Sequence, residues 1–170
     1  LKPAVLGIAG WSGAGKTTLI EALLPRLAVA GLVVSTIKHA HHGAELDRPG
    51  KDSWRHREAG AREVLLAMPG RWALMHEEPG AEPDLPTLLA RLEPVDLVLV
   101  EGFRHYPFPK LEVFRPELGK PPLWPEWPDV AAVASTDEAF ACDRKRLRLD
   151  DHDAIATWIV TFVHSTLSEP

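Results

Sequence analysis

Residues 10–17 read Gly10-Trp11-Ser12-Gly13-Ala14-Gly15-Lys16-Thr17, a full match to G-x-x-x-x-G-K-[ST]. The match follows an apolar run, Ala4-Val5-Leu6-Gly7-Ile8-Ala9, and opens onto a helical pattern. No other feature limits the fold so tightly, because the chemistry needs strand, turn and helix start in this order. Glycines let the backbone wrap a phosphate, and successive N–H groups then point inward as donors. The helix adds the positive end of its dipole. Lys16 can reach the outer phosphates, and the Thr17 hydroxyl is placed to ligate Mg²⁺. These residues predict a bound nucleoside triphosphate with Mg²⁺.

The rest of the chain predicts an α/β fold with a mostly parallel sheet flanked by helices. After the loop, Leu19, Ile20, Leu23, Leu24 and Leu27 mark one helical face. Pro25 lies inside that pattern and predicts a kink or an early stop. Leu32–Ile37 is rich in β-branched residues and reads as a strand. A polar loop covers 38–50, and a short helix 53–62. Val64–Met68 and Trp72–His76 flank Pro69-Gly70-Arg71 and read as two strands around a tight turn. A helix is expected from Asp84 or Thr87 to Arg91. Strands are expected at 97–100 and 130–134, with an extended segment at 111–114. Ile155, Trp158, Ile159, Phe162 and Val163 recur at helical spacing behind Asp151 and Asp153, whose carboxylates suit a helix start. Strands alternating with helices imply right-handed crossovers.

The length of 170 residues fits a single domain over 1–170, and 45% hydrophobic with 25% charged residues is ordinary globular composition. The net charge of −5 argues against broad nucleic-acid or membrane-surface binding. Cys142 is the single cysteine, which fits a reducing, cytoplasmic setting. No apolar run approaches membrane-spanning length. Residues 107–128 stand apart: seven of sixteen prolines lie there, with Trp124 and Trp127. So long a connection is either a contact surface or a loop folded over the core.

The segment Asp96-Leu97-Val98-Leu99-Val100-Glu101-Gly102 has a carboxylate at each end of an apolar strand. Ligands bind at the C-terminal edge of a parallel sheet. Glu101 ends the strand and belongs on that edge; Asp96 starts it and belongs on the other. Glu101 is therefore the candidate Mg²⁺ partner or water-orienting group. Lys38-His39-Ala40-His41-His42 falls on the same edge. Its histidines suit phosphate contact, proton handling or plain loop polarity better than a metal, because no ligand set is complete. Asp47 and Asp52 stand where a switch loop meets Mg²⁺, although Asp52 could equally cap the next helix. Arg55, Arg57 and Arg62 read as a solvated face or a phosphate-binding patch.

These segments together resemble the molybdopterin-guanine dinucleotide biosynthesis protein B (MobB) family. The resemblance rests on Gly10 to Thr18, Lys38-His39-Ala40-His41-His42, Gly50-Lys51-Asp52-Ser53 and Ala59-Gly60-Ala61. It continues through Val100-Glu101-Gly102-Phe103-Arg104 and Pro109-Lys110-Leu111-Glu112-Val113. It implies a P-loop NTPase-like domain with additional strands. It also implies a dimeric GTP-binding accessory protein of molybdenum cofactor assembly, with weak GTPase activity, working beside the guanylyltransferase that attaches GMP to molybdopterin. By motif position the phosphate contacts are Gly13, Ala14, Gly15, Lys16, Thr17 and Thr18. Thr17, Glu101 and Asp52 stand near Mg²⁺, and Glu101 or Asp52 orients water. No Asn-Lys-x-Asp occurs; Asp137, in Ala134-Ser135-Thr136-Asp137, is the candidate acceptor for a guanine edge. A small-molecule kinase, with His41, His42 or Glu101 as base, and a metallochaperone GTPase built on the histidine loop are the alternatives.

Overall fold

The apolar run forms strand β1 (Ala4–Ala9), and residues 10–15 turn the chain into helix α1 (Lys16–Val29). The computed structural model describes residues 2–40, 47–78, 80, 82–137 and 139–168. Strand β2 (Val34–Lys38) leads to helix α2 (Asp52–Glu58), strands β3 (Glu63–Met68) and β4 (Arg71–His76), and the short helix α3 (Leu85–Leu89). Strands β5 (Leu97–Glu101) and β6 (Lys110–Phe114) follow, then a 3-10 turn at Pro116–Leu118. Strands β7 (Val130–Ser135) and β8 (Lys145–Arg148) and helix α4 (His152–Ser168) complete the chain.

Within the span taken above as one domain, packing separates two compact units: Leu1–His39 with Leu89–Pro170, and Ala40–Leu88. The first holds a six-stranded sheet ordered β2-β5-β1-β6-β7-β8, in which every pairing is parallel. Side chains alternate across a strand, so one face collects Ala4, Leu6 and Ile8, Leu97 and Leu99, Leu111 and Val113, and Ala132 and Ala134. Leu19, Ile20, Leu23 and Leu27 of α1 and Ile155, Ala156, Ile159 and Val163 of α4 close over that face. At its rim Arg26 donates to Asp153 at 2.6 Å, joining the two helices.

Pro25 does not end α1. The proline sits on the exposed side, and the helix continues to Val29 before Gly31 turns it. The lost backbone donor is outweighed by Leu23 and Leu27, both fully buried. Strand β8 has no counterpart among the sequence expectations. Lys145-Arg146-Leu147-Arg148 shows no apolar run because it is an edge strand, where charge discourages further pairing.

The proline-rich stretch is also more ordered than expected. It contains β6, an interior strand between β1 and β7 with all five residues buried. Trp124 packs edge-on against Phe114 with ring centroids 5.3 Å apart, and lies 5.3 Å from the Phe140 ring. With Val130 and Val133 these rings cover the sheet face opposite α1 and α4. The segment is thus a loop folded over the core, and Trp124 is not a contact residue on its surface.

In the second unit β3 and β4 pair antiparallel from Glu63↔His76 to Met68↔Arg71. Val64 is buried, whereas Leu65, Leu66, Met68, Trp72 and Leu74 are exposed. Arg57 lies 3.6 Å from Glu77 and 3.9 Å from Asp47, and Arg62 lies 3.5 Å from Glu78. Both arginines are therefore paired with carboxylates of their own unit. Asp84 caps α3, accepting the Thr87 amide at 2.9 Å, and that helix ends at Leu89 rather than Arg91. Among the described residues no helix is long and apolar enough to cross a membrane.

Candidate functional site at the phosphate loop

Three glycines of the loop adopt positive φ: Gly10 at 139°, Gly13 at 81° and Gly15 at 97°. At Gly10 the need is also steric, since a Cβ there would stand 2.6 Å from the Val113 carbonyl oxygen. Gly15 is the residue at the start of α1, and no side chain caps this end. The first amides of the helix are thereby left for an outside acceptor, with the helix dipole behind them. Ala14 is buried and holds the turn: its amide donates to Trp11 O at 3.1 Å, and its carbonyl accepts Arg115 Nε at 2.8 Å. Thr17 and Thr18 are exposed on the first turn.

Lys16 Nζ folds over the loop, donating to Gly10 O at 2.9 Å and Trp11 O at 3.1 Å. Burial pushes this ammonium below the ordinary lysine range; Glu101 opposes the shift, and the charge of Lys38 adds to it. Glu101 lies where its strand placed it. The register Ile8↔Glu101 sets it beside the end of β1, and its Oε2 accepts the Thr17 hydroxyl at 3.3 Å. Lys38, paired with Glu101 across β2 and β5, brings its Nζ within 3.6 Å of the same oxygen. The residues around Lys38 gave no sign of this partner, although the end of its strand was legible. Here a hydroxyl and a carboxylate converge next to helical amides that no side chain caps. That donor set fits Mg²⁺ and a polyphosphate.

The turn after Glu101 is tight. Gly102 has φ 106°, and a Cβ on it would lie 2.4 Å from the His39 Cβ. Phe103 follows at φ 48°, the one described non-glycine residue with positive φ, and its ring stacks on His39 at 4.6 Å. His39 is therefore a packed wall of this edge. His41 and His42 lie outside the described residues. Among the described residues no group of three or more histidine, cysteine or acidic side chains could hold a metal ion.

Two charged residues of β6 are buried for structural ends. Lys110 Nζ donates to Tyr106 O at 2.7 Å and Phe108 O at 3.0 Å, lies 3.6 Å from Asp129, and sits over the Phe108 ring. Desolvation lowers its pKa, with Asp129 pulling the other way. Fully buried Glu112 accepts the amides of Leu123 at 2.8 Å and Trp124 at 2.9 Å, which anchors the proline-rich segment. Charges alternating within an apolar strand were the signal for both. Trp11 extends the anchoring to the loop itself, donating from Nε1 to Pro121 O at 2.7 Å.

The remaining candidates take separate places. Asp52 is exposed in the first turn of α2, in the second unit, and no side chain caps that helix, whose flanking residue is Lys51. Asp47 accepts the Ser53 hydroxyl at 2.9 Å. Asp137 follows β7, and its Oδ1 accepts the Ala139 amide at 2.8 Å, which fixes the carboxylate.

A family model described as molybdopterin guanine dinucleotide synthesis protein B (MobB) matches residues 5–136. The chain belongs to the MobB family. It is 42% identical over 162 residues to a molybdopterin-guanine dinucleotide biosynthesis adapter protein of Haemophilus influenzae, covering 94% of this chain and 89% of that one. To the adapter protein of Escherichia coli K12 it is 40% identical over 163 residues, covering 94% and 93%. Among solved structures, a crystal structure of MobB aligns with a TM-score of 0.74 at 29% identity, covering 93% of this chain and 99% of that chain. Bacillus subtilis MobB shares the fold, with a TM-score of 0.70 at 24% identity. The MobB architecture is thus a P-loop NTPase-like sheet with added strands, as expected.

Proposed function

We propose that this chain acts as an adapter in molybdopterin guanine dinucleotide biosynthesis, binding GTP and Mg²⁺ at the phosphate loop. The names carried by its relatives support the pathway. The observation that carries the ligand is the meeting of Thr17 and Glu101 at 3.3 Å beside uncapped helical amides. In this reading the backbone of Gly13, Ala14 and Gly15 shapes the cradle, and the amides of Lys16, Thr17 and Thr18 take phosphate oxygens. Lys16 exchanges the carbonyls of Gly10 and Trp11 for the outer phosphates. When bound, Mg²⁺ would neutralise charge on those phosphates, held by Thr17 and Glu101. Glu101 Oε2 is already shared between Thr17 and Lys38, so it is not held as a free general base, and slow hydrolysis follows. The fixed carboxylate of Asp137 supports guanine, whose N1–H and N2–H groups need acceptors where adenine presents an acceptor of its own.

An adapter needs partners, and the reading includes the molybdopterin guanylyltransferase, a molybdopterin species and a second copy of the chain. The exposed apolar side chains of β3 and β4 support an interface on that hairpin. The deciding experiment displaces a fluorescent GTP analogue from the purified chain with GTP or ATP, in Mg²⁺, for wild type and Lys16→Ala. Displacement by GTP at far lower concentration than ATP, with binding lost in Lys16→Ala, is expected. Unchanged affinity in Lys16→Ala, or equal displacement by ATP, refutes the reading.

A further inference from the structure

A parallel sheet binds ligands where the connections of two adjacent strands leave in opposite directions. Here that point lies between β1 and β6: the chain leaves β1 toward β2, past β5, and leaves β6 toward β7 on the other side. The phosphate loop follows β1, and Arg115 is the first residue past β6. The two strands approach closely, as the 2.6 Å from a Cβ at Gly10 to the Val113 carbonyl shows.

Arg115 is half-buried in this crevice and pinned by one bond, from Nε to Ala14 O at 2.8 Å. Its Nη2 lies 3.6 Å from the position a Cβ would take on Gly15, the residue that opens α1. Among the described residues no acceptor is hydrogen-bonded to Nη1 or Nη2. A guanidinium with its inner nitrogen fixed and its outer fork not hydrogen-bonded is suited to two oxygens of one phosphate, for which Glu117, the carboxylate that its charge acts on, would compete.

The direction of the polyphosphate follows from the groups on either side of α1. Thr17, Glu101 and Lys38 stand on the β5 side and mark the end where Mg²⁺ and the outer phosphates belong. The chain of phosphates therefore runs back across the helix start toward β6, and its inner phosphate arrives at Arg115. We propose that Arg115 is a second cationic arm of the nucleotide site, taking the α-phosphate while Lys16 takes the outer phosphates. The inference rests on the nucleotide reading above.

The test measures GTP, GDP and GMP by competition against a fluorescent GTP analogue, using the full chain as wild type, Arg115→Gln, Arg115→Lys and Lys16→Ala. An α-phosphate contact is common to all three nucleotides, so Arg115→Gln weakens each by the same factor, about tenfold or more for a lost charged hydrogen bond. Arg115→Lys keeps the charge without the fork and gives a smaller common loss. Lys16→Ala, at the other end, affects GTP and GDP far more than GMP. A loss for Arg115→Gln that grows with the number of phosphates shows a brace for the loop and overturns the contact. Unchanged affinities, or a loss confined to GTP, overturn it also. Should Arg115→Gln fail to fold, Arg115→Lys decides on the same pattern. If wild type binds no GTP, the nucleotide reading itself falls; if it binds GTP and both Arg115 variants match it, only the α-phosphate assignment falls.

Discussion

Glu112 holds the amide of Trp124 at 2.9 Å from inside the sheet, with no solvent reaching its carboxylate. Its second oxygen holds Leu123, so one side chain of an interior strand fastens the segment that covers β6 and β7. A glutamine has a single carbonyl oxygen, and its NH₂ would face the other amide. Glu112→Gln should lose about 1–3 kcal/mol of stability, the cost of leaving a buried donor unsatisfied. Chemical denaturation of both proteins measures it.

The same carboxyl gives a pH dependence. Burial raises its pKa above the ordinary 4.5, against the two amide bonds that lower it. As pH rises past that value the unfolded chain releases its proton first, and folding then works against the charge. This residue's share of stability should therefore fall from about pH 4.5 upward and level off once the folded carboxyl has also ionised. Denaturation midpoints across pH 4–8 should show that slope in wild type and lack it in Glu112→Gln.

Glu101→Gln separates charge from shape at the phosphate end. With Mg²⁺ present, GTP affinity should drop by about tenfold, or 1.4 kcal/mol. With the metal chelated, affinity should hold or rise, because a negative charge near the phosphates has gone. Calorimetry in the two buffers reads the difference; equal losses in both would show that Glu101 does not serve the cation.

Gly102→Ala should cost about 2–5 kcal/mol, combining the left-handed backbone penalty with overpacking against His39. Thermal unfolding measures the cost. A loss below 1 kcal/mol would mean that the turn between β5 and the Phe103 stack yields easily.

His76 sits between Glu63 at 2.7 Å and Glu78 at 3.0 Å, at the open end of the hairpin, with Arg62 and Glu77 alongside. Bonds to Glu63 and then Glu78 raise its pKa above 6.5, against the opposing Arg62 charge. Its contribution to the hairpin should be complete below pH 6.5 and vanish as pH rises through the higher folded value. An NMR titration of the ring should place its midpoint above 6.5, and Glu63→Gln should lower it.

The phosphate loop, Glu101 and the core of the sheet were legible because each follows a local rule: glycine spacing, strand polarity, apolar alternation. The helix through Pro25 was not, since tertiary burial of Leu23 and Leu27 overrode a local breaker. Strand β8 escaped because an edge needs no apolar run, and β6 was legible only as an extended segment, because Lys110 and Glu112 are charged and their burial depends on partners outside the strand. Arg115 showed no pattern of its own. Its meaning arises only when β6 settles beside β1, a contact between residues about a hundred positions apart.

Lys16 rests on two carbonyls of its own loop. On the nucleotide reading, capture is a substitution: those bonds break as the phosphate bonds form, and only the difference remains as affinity.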